Sequence, residues 1–346
     1  MSAVLVVFGA YRQAHSGAER MAWRSAQHLA DRGHQVTVMS DSPPPPGLGD
    51  TVGWTPTPPT GRPDVVHAFD LARPEAVLES MRIAGDAEAL FALTPATDAT
   101  LWPDPAAGTA ACRAADAVFV LTQAEHDAAV RAGAAPDRVV RIPQAADLAG
   151  QPDPAGFRRR WAGDGGIVLF LARRTRAKGY RLLLESAAAV LDPLPETTFL
   201  LAGPDGGEDV PAALLADHRI RDLGVVDEQG KHDALAACDV VCLPTTADVF
   251  PLLFVEAWSC GKPVVSGRFP GVEEVVRDGV DGVIVDPDHA SLAGALVGLL
   301  RDGGRRAALG AAGQERVRAD LNWPRVAARI ELGYRMAEGN GYVRGS

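Results

Sequence analysis

Short apolar runs alternate with amphipathic stretches along the whole sequence. Residues 3–8, with Val4-Leu5-Val6-Val7-Phe8 unbroken, read as a buried strand. Residues 17–33 put Ala18, Ala22, Ala26, Leu29 and Ala30 on one stripe and close at Gly33, the pattern of a helix and its stop signal. Strands follow at 35–40, 64–68 and 89–93 with a helix at 74–83, then a strand–helix–strand unit over 117–121, 123–132 and 138–142. Residues 41–63, rich in proline with four in a row, are expected to form an irregular excursion. Continuous apolar strands, each followed by a helix, are the rhythm of a parallel sheet covered on both faces.

The rhythm breaks at 144–154, where small and polar residues and two prolines suit a linker, and then restarts. Strands are expected at 167–171, 198–202, 222–226, 239–243, 263–266 and 282–285. Helices are expected at 178–191, 230–237, 251–260, 271–277 and 290–301. A helical stretch over 304–337 breaks near Asn322-Trp323-Pro324, and the tail Gly339–Ser346 is expected to be mobile. The fold class is α/β, with two doubly wound halves. Two such halves can face each other across a cleft, with ligands outside the carboxyl ends of the strands.

Composition narrows the partners. The chain has 346 residues, 47% apolar and 23% charged, so it buries a sizeable core. Its net charge is −10 with no basic stripe, which argues against nucleic acid. Lysine occurs only at Lys178, Lys231 and Lys262. Cys112, Cys238, Cys242 and Cys260 form no C-x-x-C pair and no histidine cluster joins them, so neither a metal site nor a disulfide framework is expected. With no signal-peptide pattern and no apolar stretch of membrane-spanning length, a soluble cytoplasmic protein is expected.

Four segments carry chemistry. His15-Ser16-Gly17-Ala18-Glu19 sits between the first strand and the first helix, where a glycine lets backbone N–H groups approach an anion. The bland alternative is a βα turn with Ser16 capping and Glu19 completing the box. Ala172-Arg173-Arg174-Thr175-Arg176-Ala177-Lys178-Gly179 puts four cations at the carboxyl end of a strand, where Arg173 offers a fork and Lys178 a point charge to a diphosphate. Pro244-Thr245-Thr246-Ala247-Asp248-Val249-Phe250-Pro251-Leu252-Leu253-Phe254-Val255-Glu256 joins a strand to a helix, with Pro251 suited to the first helical turn. The N–H groups of Leu252 and Leu253 are placed to meet phosphate, and Glu256 to accept the hydroxyls of a sugar diol; equally, Asp248 caps and Glu256 meets a core arginine. The fourth segment, Gly261-Lys262-Pro263-Val264-Val265-Ser266 with Phe269-Pro270-Gly271, is structural by itself.

In this order the segments resemble the retaining glycosyltransferases of family 4, which have the GT-B fold. Ser16-Gly17-Ala18-Glu19 with Gly33-His34-Gln35-Val36-Thr37-Val38 is similar to that family's first βαβ unit, and Ala172-Arg173 through Lys178-Gly179 to its G-R-L…K-G motif. Asp248 to Glu256, continued by Ala257-Trp258-Ser259-Cys260-Gly261-Lys262-Pro263-Val264-Val265, is similar to its E-x7-E segment and following strand. The resemblance implies an acceptor-binding Rossmann-like domain over 1–150 and a nucleotide-sugar-binding one over 151–325. Residues 326–346 would supply a C-terminal helix returning to the first domain. Arg173 and Lys178 would then hold the donor diphosphate, Glu256 the ribose, and Asp248 the sugar hydroxyls. Phe250, Pro251, Leu252 and Leu253 would offer backbone contacts, and Gly17 would close over the phosphate from the other domain. The departures are Asp248 for the first glutamate, Ala172 for the glycine before Arg173, Gln144-Ala145 for an asparagine-glycine pair, and Thr94-Pro95-Ala96-Thr97-Asp98 where a histidine is common.

The implied activity is metal-independent, retaining transfer of a sugar to a hydroxyl of a small molecule or glycan. No cofactor is expected. A UDP-sugar is the first expectation for the donor and a GDP-sugar the second. A nucleotide-sugar 2-epimerase of the same fold and a non-catalytic partner of another transferase stay open. Because some relatives dock on lipid, Arg20, Arg24, Arg32 and Trp23 on helix 17–33 leave membrane association open too, against the plainer reading of a solvated helix surface.

Overall fold

The computed structural model describes residues 2–9, 17–45 and 48–341, and the chain divides into two compact units. One is Met1–Ala145 with Asn322–Ser346, the other Ala146–Leu321. The first carries β1 (Ala3–Phe8), α1 (Gly17–Asp31), β2 (Gln35–Met39), β3 (Val52–Thr55), β4 (Val65–Phe69), α2 (Pro74–Ala87), β5 (Leu90–Thr94), α3 (Pro105–Ala114), β6 (Ala117–Val120), α4 (Gln123–Arg131) and β7 (Val139–Arg141). The second carries α5 (Pro154–Trp161), β8 (Ile167–Leu171), α6 (Tyr180–Leu191), β9 (Thr198–Ala202), β10 (Ile220–Gly224), α7 (Glu228–Ala237), β11 (Val240–Leu243) and α8 (Leu252–Ser259). It continues with β12 (Val264–Ser266), α9 (Val272–Val275), β13 (Gly282–Ile284), α10 (His289–Arg301) and α11 (Gly303–Ala319), after which α12 (Trp323–Gly341) belongs again to the first unit.

Both sheets are parallel throughout. Their orders are β3-β2-β1-β4-β5-β6-β7 and β10-β9-β8-β11-β12-β13. Strand order therefore reverses between β1 and β4 in one unit and between β8 and β11 in the other, and ligands of open α/β sheets bind outside the carboxyl ends at such points. The unbroken apolar runs are explained by burial on both faces: all five residues of β4 and of β9 are buried.

Several elements depart from the sequence expectation. The segment expected to be irregular contains β3, a four-residue edge strand whose Gly53 and flanking prolines hide its pattern. Trp54 anchors it by donating from Nε1 to the Ser42 carbonyl at 2.8 Å. The helices α3 and α5 were not anticipated. Each starts at an Asp-Pro cap, but α3 is built of small residues and α5 buries no side chain, so neither has an apolar stripe to read. β10 lies two residues earlier than expected, and α12 runs on through Gly341 where a mobile tail was expected. His15 and Ser16, with the proposed cap, lie outside the described residues, as do 342–346.

The last helix is pinned to the first sheet by a buried polar chain. His67 on β4 is fully buried, with Nδ1 2.7 Å from the Tyr334 hydroxyl and Nε2 2.8 Å from Thr94 Oγ1. Burial lowers the His67 pKa to about 3, so the imidazole is neutral. Gly333 lets α12 approach, since a Cβ there would lie 2.4 Å from the Phe119 ring. Arg32 and His34 meet Glu331 of α12 at 2.6 and 3.0 Å. Of the α1 residues considered for lipid docking, Trp23 is buried, Arg20 and Arg24 are half-buried and Arg32 is exposed. Trp23 is 8% exposed with the Arg24 guanidinium 4.5 Å from its ring, and Arg32 is ion-paired. Among the described residues no helix is long and apolar enough to cross a membrane.

Candidate active site

The second unit joins the two segments that the sequence singled out. β8 and β11 are neighbours at the reversal of strand order, so the loops after them, 172–179 and 244–251, leave the sheet side by side. They are bonded together. Thr246 donates its N–H to the Ala177 carbonyl at 2.8 Å, and Thr245 Oγ1 donates to the same oxygen at 3.0 Å. Gly179 permits this approach: its φ is 75°, and a Cβ there would lie 2.2 Å from the Pro244 carbonyl oxygen. Thr175 caps the short 3₁₀ turn Arg176–Lys178 that carries the lysine.

The result is a close ion pair between residues 70 positions apart. Lys178 Nζ lies 2.5 Å from Asp248 Oδ2, while Asp248 Oδ1 accepts the Val249 N–H at 3.0 Å. The pair is reachable by solvent, with side chains 30% and 15% exposed. Arg173 is exposed, and its guanidinium has no ion pair or hydrogen bond among the described residues. Arg174, by contrast, makes a bidentate pair with Asp222 on β10 and lies 6.0 Å from the Tyr180 ring, so it stabilises the loop. The four-cation cluster thus separates into one structural arginine, one lysine paired to Asp248, and the exposed Arg173 and Arg176.

Pro251 is the cap residue before α8, one position earlier than the first helical turn expected for it. The first N–H groups of a helix have no intrahelical acceptor, which makes the start of α8, at Leu252 and Leu253, an anion-favouring end. Phe250 and Leu253 bury their apolar side chains, at 7% and 6% exposed. Glu256 sits inside α8 at 4% exposure. It meets a lysine rather than the core arginine considered from sequence, with Lys231 Nζ 2.6 Å from Oε1. Lys231 also lies 2.8 Å from Glu228 Oε2. Lys231 and Glu228 were missed. The available signal was a lysine on the stripe that α7 otherwise buries with Ala234 and Leu235. Gly17 is the exposed first residue of α1 in the first unit.

These loops can stabilise negative charge with fixed cations and a helix start. The chain is 32% identical over 305 residues to a D-inositol 3-phosphate glycosyltransferase of Catenulispora acidiphila, covering 79% of this chain and 72% of that protein. The chain belongs to the group 1 glycosyltransferases. The family's pattern, glycosyl transferases group 1, matches residues 165–302 and so includes Arg173, Lys178, Asp248 and Glu256. A phosphatidyl-myo-inositol mannosyltransferase of Mycobacterium leprae is 37% identical over 188 residues, 53% of this chain and 49% of that protein. The match thus spans about half the length of that relative.

Solved structures share the fold across nearly the whole chain. Anabaena HepE, crystallised with UDP and glucose, superposes with a TM-score of 0.79 at 20% identity, covering 96% of this chain and 99% of that one. A glycosyltransferase from Rickettsia africae gives 0.79 at 16% identity, covering 97% and 98%. The fold of this family member is GT-B, with two parallel Rossmann-like halves, as the sequence led us to expect.

Proposed function

We propose that this chain transfers a sugar from a nucleotide diphosphate donor to a hydroxyl acceptor, with retention at the anomeric carbon and without a metal ion. The observation that carries the reading is the Lys178–Asp248 pair on two loops bonded together at the strand-order reversal, with Arg173 exposed beside it in sequence. As the glycosidic bond breaks, the leaving diphosphate gains negative charge. Arg173, Lys178 and the N–H groups of Leu252 and Leu253 are the preorganised donors that lower that barrier. Asp248 serves the sugar end and Glu256 the ribose. No side chain is assigned as nucleophile, so the acceptor hydroxyl attacks from the face the diphosphate leaves, and the diphosphate takes its proton.

The relatives support the choice of substrates. A UDP-sugar is the first donor to test, because HepE was crystallised with UDP and glucose, and a GDP-sugar the second. The relatives named for inositol make a cyclitol hydroxyl the first acceptor, ahead of glycans. The reaction is taken to be cytoplasmic. None of the relatives named above is an epimerase, which leaves transfer as the reading to test.

The test combines UDP- and GDP-sugars with myo-inositol, its phosphates and glycan acceptors, with and without EDTA. Nucleotide release is followed and product configuration is read by NMR. We expect acceptor-dependent release, an anomer matching the donor, and no effect of EDTA. Failure of the protein to bind either nucleotide would overturn the reading. Release of an epimerised sugar without acceptor would do the same.

A further inference from the structure

Two adjacent arginines follow β8, and the structure treats them differently. Past Leu171 the chain stays extended and paired to the segment after β9. The Ala172 N–H donates to the Ala202 carbonyl at 3.0 Å, and the Arg174 N–H to the Pro204 carbonyl at 3.1 Å. A further bridge joins Arg174 to Asp205. Side chains alternate along such a backbone, so residues 173 and 174 point to opposite faces. Arg174 spreads its guanidinium on Asp222 of β10, donating from Nη1 to Oδ2 at 2.6 Å and from Nη2 to Oδ1. Asp222 is held in turn, since Oδ1 also accepts the Gly224 N–H at 2.6 Å. The Arg174 side chain is 13% exposed, whereas Arg173 belongs to the exposed residues.

The register of this extension is not set by an apolar pattern. Ala172-Arg173-Arg174-Thr175 has no large apolar side chain to bury, and a strand of that kind slips easily. A slip of one residue exchanges the two faces, turning Arg174 outward and Arg173 toward β10. The fork on Asp222 opposes the slip, because a planar guanidinium meets both oxygens of a carboxylate in one placement. Tyr180, the first residue of α6, supports the same placement, with its ring 6.0 Å from the Arg174 guanidinium. Gly206 admits the close pairing, since a Cβ there would lie 2.4 Å from the Arg174 carbonyl oxygen. In the G-R-L…K-G motif a leucine follows the arginine, so an ion-paired Arg174 is this chain's own device.

We propose that Arg174 is a positioning residue: latched to Asp222, it sets the register that presents Arg173, and not itself, to the donor diphosphate. The inference rests on the nucleotide-donor reading and adds to it a contribution of Arg174 and Asp222 to diphosphate affinity that passes through Arg173. Without the latch, Arg173 can slip onto Asp222 and leave the ligand.

The test is calorimetric titration with UDP, UMP, GDP and GMP on wild type, Arg173→Ala, Arg174→Met and the double variant. Charged hydrogen bonds to the second phosphate should make wild type favour the diphosphate over the monophosphate by about tenfold or more. In Arg173→Ala the ratio should fall at least about fivefold, and in Arg174→Met at least about threefold. In the double variant it should match Arg173→Ala within about twofold, because a residue that acts through another has no effect once that other is gone. If Arg174→Met does not fold, Asp222→Asn carries the test in both backgrounds. Its site is exposed, and an amide offers the fork one oxygen instead of two, so the ratio should again fall at least about threefold. A merely structural Arg174 would change the denaturation midpoint and leave the ratio unmoved. A wild-type ratio near one, a folded latch variant keeping the wild-type ratio, or a loss equally large without Arg173 overturns the proposal while the donor reading survives. Wild type binding none of the four nucleotides overturns both.

Discussion

Substituting alanine for Gly179 tests the loop geometry on which the site depends. Two penalties can be worked from the structure. The backbone there has φ 75°, which disfavours a side chain by ~1–2 kcal/mol. The new Cβ would also lie 2.2 Å from the Pro244 carbonyl oxygen, more than an ångström short of ordinary contact at 3.4 Å. The obstructing atom is backbone and cannot rotate away, so relief requires the two loops to part, and overpacking of this kind costs about 1–3 kcal/mol. The sum is ~2–5 kcal/mol, assigned to the second unit. Parting the loops strains the two bonds to the Ala177 carbonyl and carries Lys178 with them. A misplacement of about 1 Å at a reacting centre lowers rate by ~10²-fold. Urea denaturation, UDP affinity and turnover of Gly179→Ala give the three readouts. Gly279→Ala is the control, because Gly279 has φ 72° but nothing within 4 Å of a Cβ. It should lose only the ~1–2 kcal/mol of backbone strain and none of the turnover. Equal behaviour of the two variants, or wild-type turnover in Gly179→Ala, would refute the reasoning.

Three further outcomes are expected. Arg173→Ala and Lys178→Ala should each lower turnover by ~10²–10³-fold with the thermal transition kept, and near wild-type rates in both would remove the electrostatic argument. Glu125, 7% exposed, is pushed up to about 7 by burial, whereas the unfolded chain releases that proton near 4.5. Between these values the folded state binds more protons, so this group makes stability fall as pH rises, by about 3 kcal/mol in total above pH 7. Glu125→Gln should therefore gain stability over wild type from pH 4.5 to 7 and hold the gain above it; a pH-independent difference in urea midpoints would contradict this. Tyr334→Phe removes the partner of the buried His67 Nδ1 and should cost ~1–3 kcal/mol in the first unit, seen as a lower denaturation midpoint without loss of UDP binding.

How much was legible in the sequence depended on burial. β1, β4, β8 and β9 were readable because both faces are covered and the apolar run is continuous. β3 was not, because a four-residue edge strand with one neighbour needs little apolar length. The arginines, lysine and acidic residues of the site were visible as residue types on loops after strands. Their pairing was not, because the Lys178–Asp248 contact spans 70 residues and depends on which strands are neighbours. Arg173 and Arg174 look alike in sequence, and only Asp222, on a strand two places across the sheet, separates the exposed one from the structural one. Lys231 was hidden for the same reason, since its two partners lie on opposite sides of it in the chain.

The two lysine–carboxylate pairs differ in a way that bears on the donor reading. Asp248 and Glu256 belong to one loop and helix, yet the side chains of the first pair are 30% and 15% exposed and those of the second 9% and 5%. Water reaches the first pair and screens it, which brings its net strength toward the ~0–1 kcal/mol of a surface pair. A diphosphate, with more charge than one carboxylate, can therefore take Lys178 at little expense and leave Asp248 free to meet hydroxyls. Breaking a buried pair by removing one partner costs ~3–5 kcal/mol, so no ligand of ordinary affinity displaces Lys231 from Glu256. On the donor reading proposed above, the exchangeable pair would stand where charge develops during transfer and the fixed pair where a neutral sugar ring needs only to be held, and the difference in exposure between the two pairs is what suits them to those tasks.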